Sequence, residues 1–351
     1  MKIKNTRKIE VAPLQEWEKA ALKSKIFKSV NQNKLMKRLL WYSVGVAASI
    51  SVLLGYTFYF NEAPSPSISD FAKSSKSVDK RTSDKVTLIL GEGENLKIDE
   101  DVAAINYSST GKTVTLGVVK EVAQKVAKND QIVFNTLLVP YGKRSKIQLS
   151  DGSTIWLNSG SKMIYPAVFN DDRREVYLEG EAIFDVTHDA DHPFVVLSED
   201  HEIEVLGTVF CVTNYLDESS INTVLKSGSV QISYFKDSSP QNSDKVKITP
   251  GTLASYNKKF RSIKSKKVNV DNYFSWREGM LVFKNNSLSY IMKRLSRFYN
   301  INISINDEIL MNETFSGYLD LNEDLDIVIQ NINESTNIDI VLLNNEILLN
   351  N

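Results

Sequence analysis

The chain has a single cysteine, Cys211, among 351 residues, so no intrachain disulfide can form and the fold must rest on hydrophobic cores. Cys211 sits inside the apolar run Val205–Val212 and reads as a buried, inert thiol. Histidine is almost as scarce, with three copies. His188 and His192 are four apart, a zinc spacing on a helix, but they lie in a turn between a strand and Pro193, where the rings need not converge. No metal, cofactor or catalytic residue is expected. His201 near Ser198 or Cys211 lacks the orienting context of a triad, and no paired carboxylates stand in context for a hydrolase. Ser109–Thr113 has the ending of a phosphate-binding loop, but Asn106 replaces its first glycine and no helix pattern follows. A net charge of -1 argues against direct nucleic-acid binding.

That small net charge hides an uneven distribution. Residues 1–38 hold eleven Lys and Arg against three Glu. Residues 39–60 then run without a charged side chain, about 33 Å as a helix and enough to cross a bilayer core of roughly 30 Å. Lys34, Lys37 and Arg38 flank only its N-terminal end, which predicts a cytoplasmic N-terminus and a single pass. A signal peptide fits less well, because the run starts late and ends in aromatics rather than a small-residue cleavage site. In the basic arm, Leu14, Trp17 and Ala21 form one helical face and Leu22, Ile26 and Val30 a second. The arm reads either as a segment that folds on a protein partner or as a basic stretch against anionic lipid.

Residues 61–84 contain seven serines and two prolines and read as a flexible linker rather than a folded element. From 85 to 265 short strands follow one another, punctuated by Gly180, Gly207, Gly228 and Gly251, with no helix pattern after 131. Leu88-x-Leu90, Gly93 and Leu96-x-Ile98 return 59 positions later as Ile147, Leu149, Gly152, Ile155 and Leu157. A left-handed Gly152 would pair Ile147 with Ile155, and the repeat suggests a stacked, solenoid-like or sandwich-like β architecture. The last segment, 270–351, changes period. Leu288, Ile291, Leu295 and Phe298 are helically spaced, and Ile301, Ile303 and Ile305 alternate. The pattern recurs 37 residues on, at Leu325, Val328, Ile332 and then Ile338, Ile340, Leu342, which predicts a small α+β module of two βαβ units.

From Val139-Pro140-Tyr141-Gly142 onward, the residues resemble the FecR family of membrane-bound regulators of extracytoplasmic-function (ECF) sigma factors, in its Bacteroidota branch. The likeness runs through Asp151, Gly152, Trp156 and Asn158, then Gly180, Glu181 and Phe184. It continues through Pro193 and Phe194, Gly207, Thr208 and Phe210, Gly228, Pro250 and Gly251, and ends with Trp276, Gly279 and Phe283. These residues read as turns and packing rather than chemistry. The C-terminal module resembles the small signalling domain of secretins and TonB-dependent transducers.

The resemblance implies an inner-membrane, single-pass anti-sigma factor with a periplasmic β domain and no enzymatic activity. Its partners would be an ECF sigma factor inside and the signalling domain of an outer-membrane TonB-dependent transducer outside, with periplasmic and intramembrane proteases acting near the bilayer. Leu14, Trp17, Ala21, Leu22 and Ile26 would then be the sigma contacts. The fuller helical sigma-binding domain of many anti-sigma factors is not found here. The other reading is a membrane-anchored periplasmic scaffold or adhesion protein without a transcriptional role. Five Asn-x-Ser/Thr sites, at Asn106, Asn285, Asn302, Asn312 and Asn333, keep a eukaryotic secretory origin open, which the lack of disulfides makes less attractive.

Overall fold

The computed structural model describes residues 15–351 apart from 61–66, 76–80, 82, 92, 100–101, 118–119, 129–130, 170–171, 200, 236–242, 306, 337–338, 344–345 and 351. Side chains are further not described at 30–40, 44, 57–60, 102, 127–128, 131, 304 and 339–350. The chain divides into two compact units, Met1–Pro64 and Ser65–Asn351.

In the first unit, one unbroken helix, Glu16–Phe60, carries both the basic arm and the uncharged run, with Glu16 and Glu18 in its first turn. Trp17, Leu22 and Ile26 are exposed on it, as are Trp41, Ile50 and Leu53. Among the described residues no helix is long and apolar enough to cross a membrane. Part of the expected span lies outside the described side chains, at 39–40, 44 and 57–60, and Leu14 lies outside the described residues altogether.

The expected linker is in part folded. Ser67 caps a short helix, Ile68–Ser74, by accepting the Asp70 N–H at 3.1 Å. Ile68 and Ala72 are buried against Phe134 and Ile164, with the Phe71 and Phe134 rings 5.4 Å apart. The apolar residues at 68, 71 and 72 are helically spaced, a signal that the surrounding serines obscure.

Beyond it lies an 18-stranded β body made of two sheets joined through one long strand. The first sheet runs Asn95–Ile98, Val86–Ile89, Phe134–Val139, Ser161–Pro166, the first half of Arg174–Asp185, Phe194–Leu197, His201–Val205, Val230–Phe235, Ser243–Ile248. The second runs Lys120–Ala123, Thr113–Leu116, Val102–Tyr107, Arg144–Gln148, Thr154–Leu157, the second half of Arg174–Asp185, Val209–Asn214, Ser220–Ser227, Thr252–Asn257, Ser262–Lys267. Alternate residues of both sheets, among them Leu88, Leu137, Val176, Ile147, Phe184 and Phe210, share a single core. Pairing is antiparallel throughout this body except at two contacts, so the solenoid reading, which needs parallel stacking, gives way to the sandwich-like one.

Both copies of the repeated hairpin form. Leu88 faces Leu96 and Ile147 faces Ile155, with Gly93 and Gly152 both at φ +84°. They serve different sheets. The sequence pattern places Gly180 between two strands, and the structure corrects this. Arg174–Asp185 passes straight through it, and the left-handed backbone there (φ +109°) carries the strand from one sheet into the other. A side chain at 180 would meet Ser161 Cα at 2.6 Å.

The C-terminal module follows the second period. Strand Met280–Ser287 pairs antiparallel with Thr314–Asp320, and Asn302–Ile305 pairs parallel with Glu346–Asn350, itself antiparallel to Asp339–Leu343. Helices Leu288–Tyr299 and Leu325–Ser335 bury Leu288, Ile291, Leu295, Val328 and Ile332 in one cluster. Ile338 lies outside the described residues. The short helix Glu308–Asn312 and the final strand are additions to the two βαβ units that the spacing predicts.

Candidate functional site

The helix Leu288–Tyr299 has two working faces. Leu288, Ile291, Met292 and Leu295 point into the small module, while Arg294 and Arg297, one turn apart, reach the β body. Arg294 Nη1 donates to Oε2 of Glu181, the residue directly after the sheet-switching Gly180. Glu181 is 3% exposed and also accepts from Asn158 Nδ2 at 2.6 Å and Thr213 Oγ1 at 3.1 Å. A buried carboxylate needs such a set, because each missing donor would leave desolvated charge unpaired. Burial works most strongly against the charge on Arg294, but the Glu181 carboxylate acting together with Tyr290, Glu218 and Tyr215 outweighs it and holds the guanidinium's pKa well above its ordinary value.

One turn on, Arg297 Nη2 donates to both carboxylate oxygens of Asp217 at 2.8 and 2.9 Å, and its Nη1 donates to Glu218 at 2.6 Å. Its guanidinium lies 3.7 Å from the centroid of the Tyr215 ring, and Tyr215 Oη donates to the Ser159 carbonyl at 2.8 Å. Burial, and after it the charge of Glu181, pushes the Tyr215 phenol up, so it stays a neutral donor. Arg144 donates to the Trp276 carbonyl at 2.7 Å and sits over Phe298, and the Gly142 N–H donates to the Arg297 carbonyl at 2.9 Å. The junction between β body and module is therefore polar and charged at its centre, with the apolar cluster of Ile183, Cys211, Val224, Leu253, Phe274 and Trp276 beside it.

A pocket of about 140 Å³ opens at this junction, lined among others by Asn158, Glu181, Tyr215, Trp276, Tyr290 and Arg294.

Of the residues singled out in the sequence, Asn158, Glu181 and Trp276 meet at this junction. Most of the rest build the body, two belong to the module, and the arm residues lie in the first unit. Asp151 accepts Arg174 at 2.7 Å, and the buried Arg174 also donates to the His192 carbonyl and lies over Phe194. The Arg174 N–H donates to the Pro193 carbonyl. Phe184 stacks on Phe210 at 4.9 Å and meets Phe194 edge-on. Trp156 is covered by Lys146 and Arg277. Gly207 backs onto His188, Gly228 onto Thr208, and Gly279 onto Asn322. Gly251 donates to the Leu225 carbonyl, Pro250 accepts Lys267, and Phe283 packs in the module core. Trp17, Ala21, Leu22 and Ile26 lie far along the sequence on the exposed helix of the first unit.

Arg294, Arg297, Tyr215, Asp217 and Glu218 belong to no motif of the sequence and emerge only in the fold. Two arginines three apart beside the apolar stripe of a helix are the signal that could have found them.

His192 Nδ1 pairs with Asp189 at 2.9 Å, and no cluster of metal-ligating side chains occurs among the described residues. Ser198 and His201 do hydrogen-bond, but His201 is 1% exposed and burial, helped by Lys258, pushes its pKa down to about 3. A neutral imidazole sealed from solvent serves packing. Burial likewise raises the Cys211 thiol well above its usual range, matching the inert reading.

Residues 135–231 match the family model described as FecR protein, and residues 280–349 match FecR, C-terminal. Two crystal structures of a proposed anti-sigma factor from Parabacteroides distasonis ATCC 8503, at 1.65 and 2.50 Å resolution, are similar to this chain. Each is 27% identical, with a TM-score of 0.56, over 98% of its own length and 61% and 62% of this chain, respectively. No curated protein sequence matches it.

Proposed function

We propose that this chain, which belongs to the FecR family, is an anti-sigma factor that relays a signal from outside the cell's inner membrane to a sigma factor within. The observation that carries the reading is the likeness of 61% of the chain to a proposed anti-sigma factor over 98% of that protein's length, beside the matches of residues 135–231 and 280–349 to the two FecR models. The architecture suits signal relay. The described core is assembled from packing and turn residues, and the two parts that would receive a signal are joined by a specific charged junction.

In this reading residues 39–60 cross the inner membrane once, the arm 1–38 holds an ECF sigma factor in the cytoplasm through Trp17, Leu22 and Ile26, and the body lies in the periplasm. The exposure of those three side chains on one helix supports a docking role. The C-terminal module would receive the signalling domain of a TonB-dependent transducer, and proteases near the bilayer would release the arm.

The test is co-purification of a sigma factor with the full chain and with a variant lacking residues 1–38, together with expression of the locus beside its gene. Capture by the full chain alone, with altered expression on deletion, is expected. A chain that captures no sigma factor and whose deletion changes no transcript would favour the scaffold reading. A topology reporter fused after residue 351 should report the periplasm, and a cytoplasmic signal would remove the membrane part of the proposal.

A further inference from the structure

We propose that the pocket between the β body and the C-terminal module binds a small molecule bearing a carboxylate or phosphate group. Its lining is cationic. Arg294, Arg297, Lys266 and Lys284 border it against the single carboxylate of Glu181. Arg294 and Arg297 are neutralised by Glu181, Asp217 and Glu218. Lys266 and Lys284 make no ion pair among the described residues, and Lys266 belongs to a stretch, 245–270, with eight Lys and Arg and no acid. The pocket mouth thus carries positive charge that the protein itself does not balance.

One residue bordering the pocket also carries a buried donor in want of an acceptor. Arg294 uses Nη1 on Glu181, but its Nε is buried and has no hydrogen-bond partner among the described residues. Buried donors are ordinarily satisfied, and an oxyanion is the acceptor a guanidinium matches best. Beside it, the Asn272 side chain offers a neutral polar group suited to a hydroxyl, whereas Asn158 and Ser159 are engaged with Glu181 and the Lys143 carbonyl. A bulge in the strand Met280–Ser287 lies on the same wall, where the pairing shifts between Phe283 and Asn286 and Asn285 adopts φ +51°. Bulges of this kind re-aim side chains beside binding sites. The volume is below that of drug-sized pockets, so the ligand is no larger than a monosaccharide. Since Glu181 and Arg294 line the pocket from opposite sides of the junction, such a ligand would bear on the contact between body and module. The binding claim itself does not depend on the transcriptional reading.

The test is calorimetry on the purified full chain in detergent, with inorganic phosphate, glucuronate and, as the uncharged control, glucose. At least one anion should bind saturably with a Kd of about 1 mM or tighter, and glucose should not. The double variant Lys266→Ala/Lys284→Ala alters exposed side chains, so it should keep the wild-type denaturation midpoint while binding at least about fivefold more weakly. Absence of saturable binding by both anions, glucose binding as tight as theirs, or undiminished affinity in the double variant would each overturn the proposal.

Discussion

Arg294 of the C-terminal module and Glu181 of the β body form an ion pair almost wholly withdrawn from water, with side-chain exposures of 11% and 3%. A pair of this kind adds little net stability compared with apolar packing, but it is costly to break from one side. Glu181→Ala should therefore destabilise the chain by about 3–5 kcal/mol by stranding the guanidinium. Replacing both residues with apolar ones of similar size, Glu181→Met with Arg294→Met, should recover most of that loss. Urea denaturation of the single and double variants checks this, and a single-variant cost below about 1 kcal/mol would mean the pair is not buried in solution.

Arg297 tests geometry rather than charge. Its reach to Asp217 and Glu218 through separate nitrogens and its stack on Tyr215 need a planar guanidinium. Arg297→Lys keeps the charge and should still cost about 1–2 kcal/mol. Asp217 is more than half exposed, so Asp217→Asn should cost less than about 1 kcal/mol. Denaturation midpoints of the two variants, read side by side, decide it.

Gly180 cannot accept a side chain. Gly180→Ala meets both an unfavourable φ and the Ser161 backbone, and should cost about 2 kcal/mol or more. Gly251, also at positive φ but with open space around it, should lose only about 1 kcal/mol on the same substitution. A thermal melt of each separates steric from conformational cost.

His201 gives the body an acid limit. Its pKa falls from an ordinary value near 6.5 to about 3 in the fold, so protons bind the unfolded chain first. Its contribution is fully present above about pH 6.5 and is lost as pH falls toward 3, at about 1.4 kcal/mol per unit. His201→Phe, which keeps the stack on Tyr234, should flatten the stability profile between pH 6.5 and 5 by about 2 kcal/mol. An unchanged slope would place His201 in contact with solvent.

Local patterns in the sequence are legible wherever period and turn chemistry agree. Leu88 opposite Leu96, Ile147 opposite Ile155 and the helix from Leu288 follow from alternation, a left-handed glycine and a 3.6-residue stripe. What stays hidden is long-range. Nothing local in the spacing says that the two similar hairpins enter different sheets, or that Gly180 continues a strand rather than ending it. The strands from Val102 to Ala123 are hard to see, since Thr, Gly and Lys interrupt their alternation. The junction is half visible. Glu181, Asn158 and Trp276 lie in conspicuous glycine- and aromatic-rich segments, whereas Arg294 and Arg297 resemble ordinary surface charges until the fold brings a carboxylate 113 positions away against the helix.

A strand held in common makes the two sheets mechanically inseparable. Because Arg174–Asp185 is hydrogen-bonded into both and the module is tethered one residue past the crossover, a load applied to the module arrives at the point where neither sheet can slide without the other. The β body should transmit such a pull as a stiff block rather than absorb it by shearing, and what gives way first is the charged tether itself.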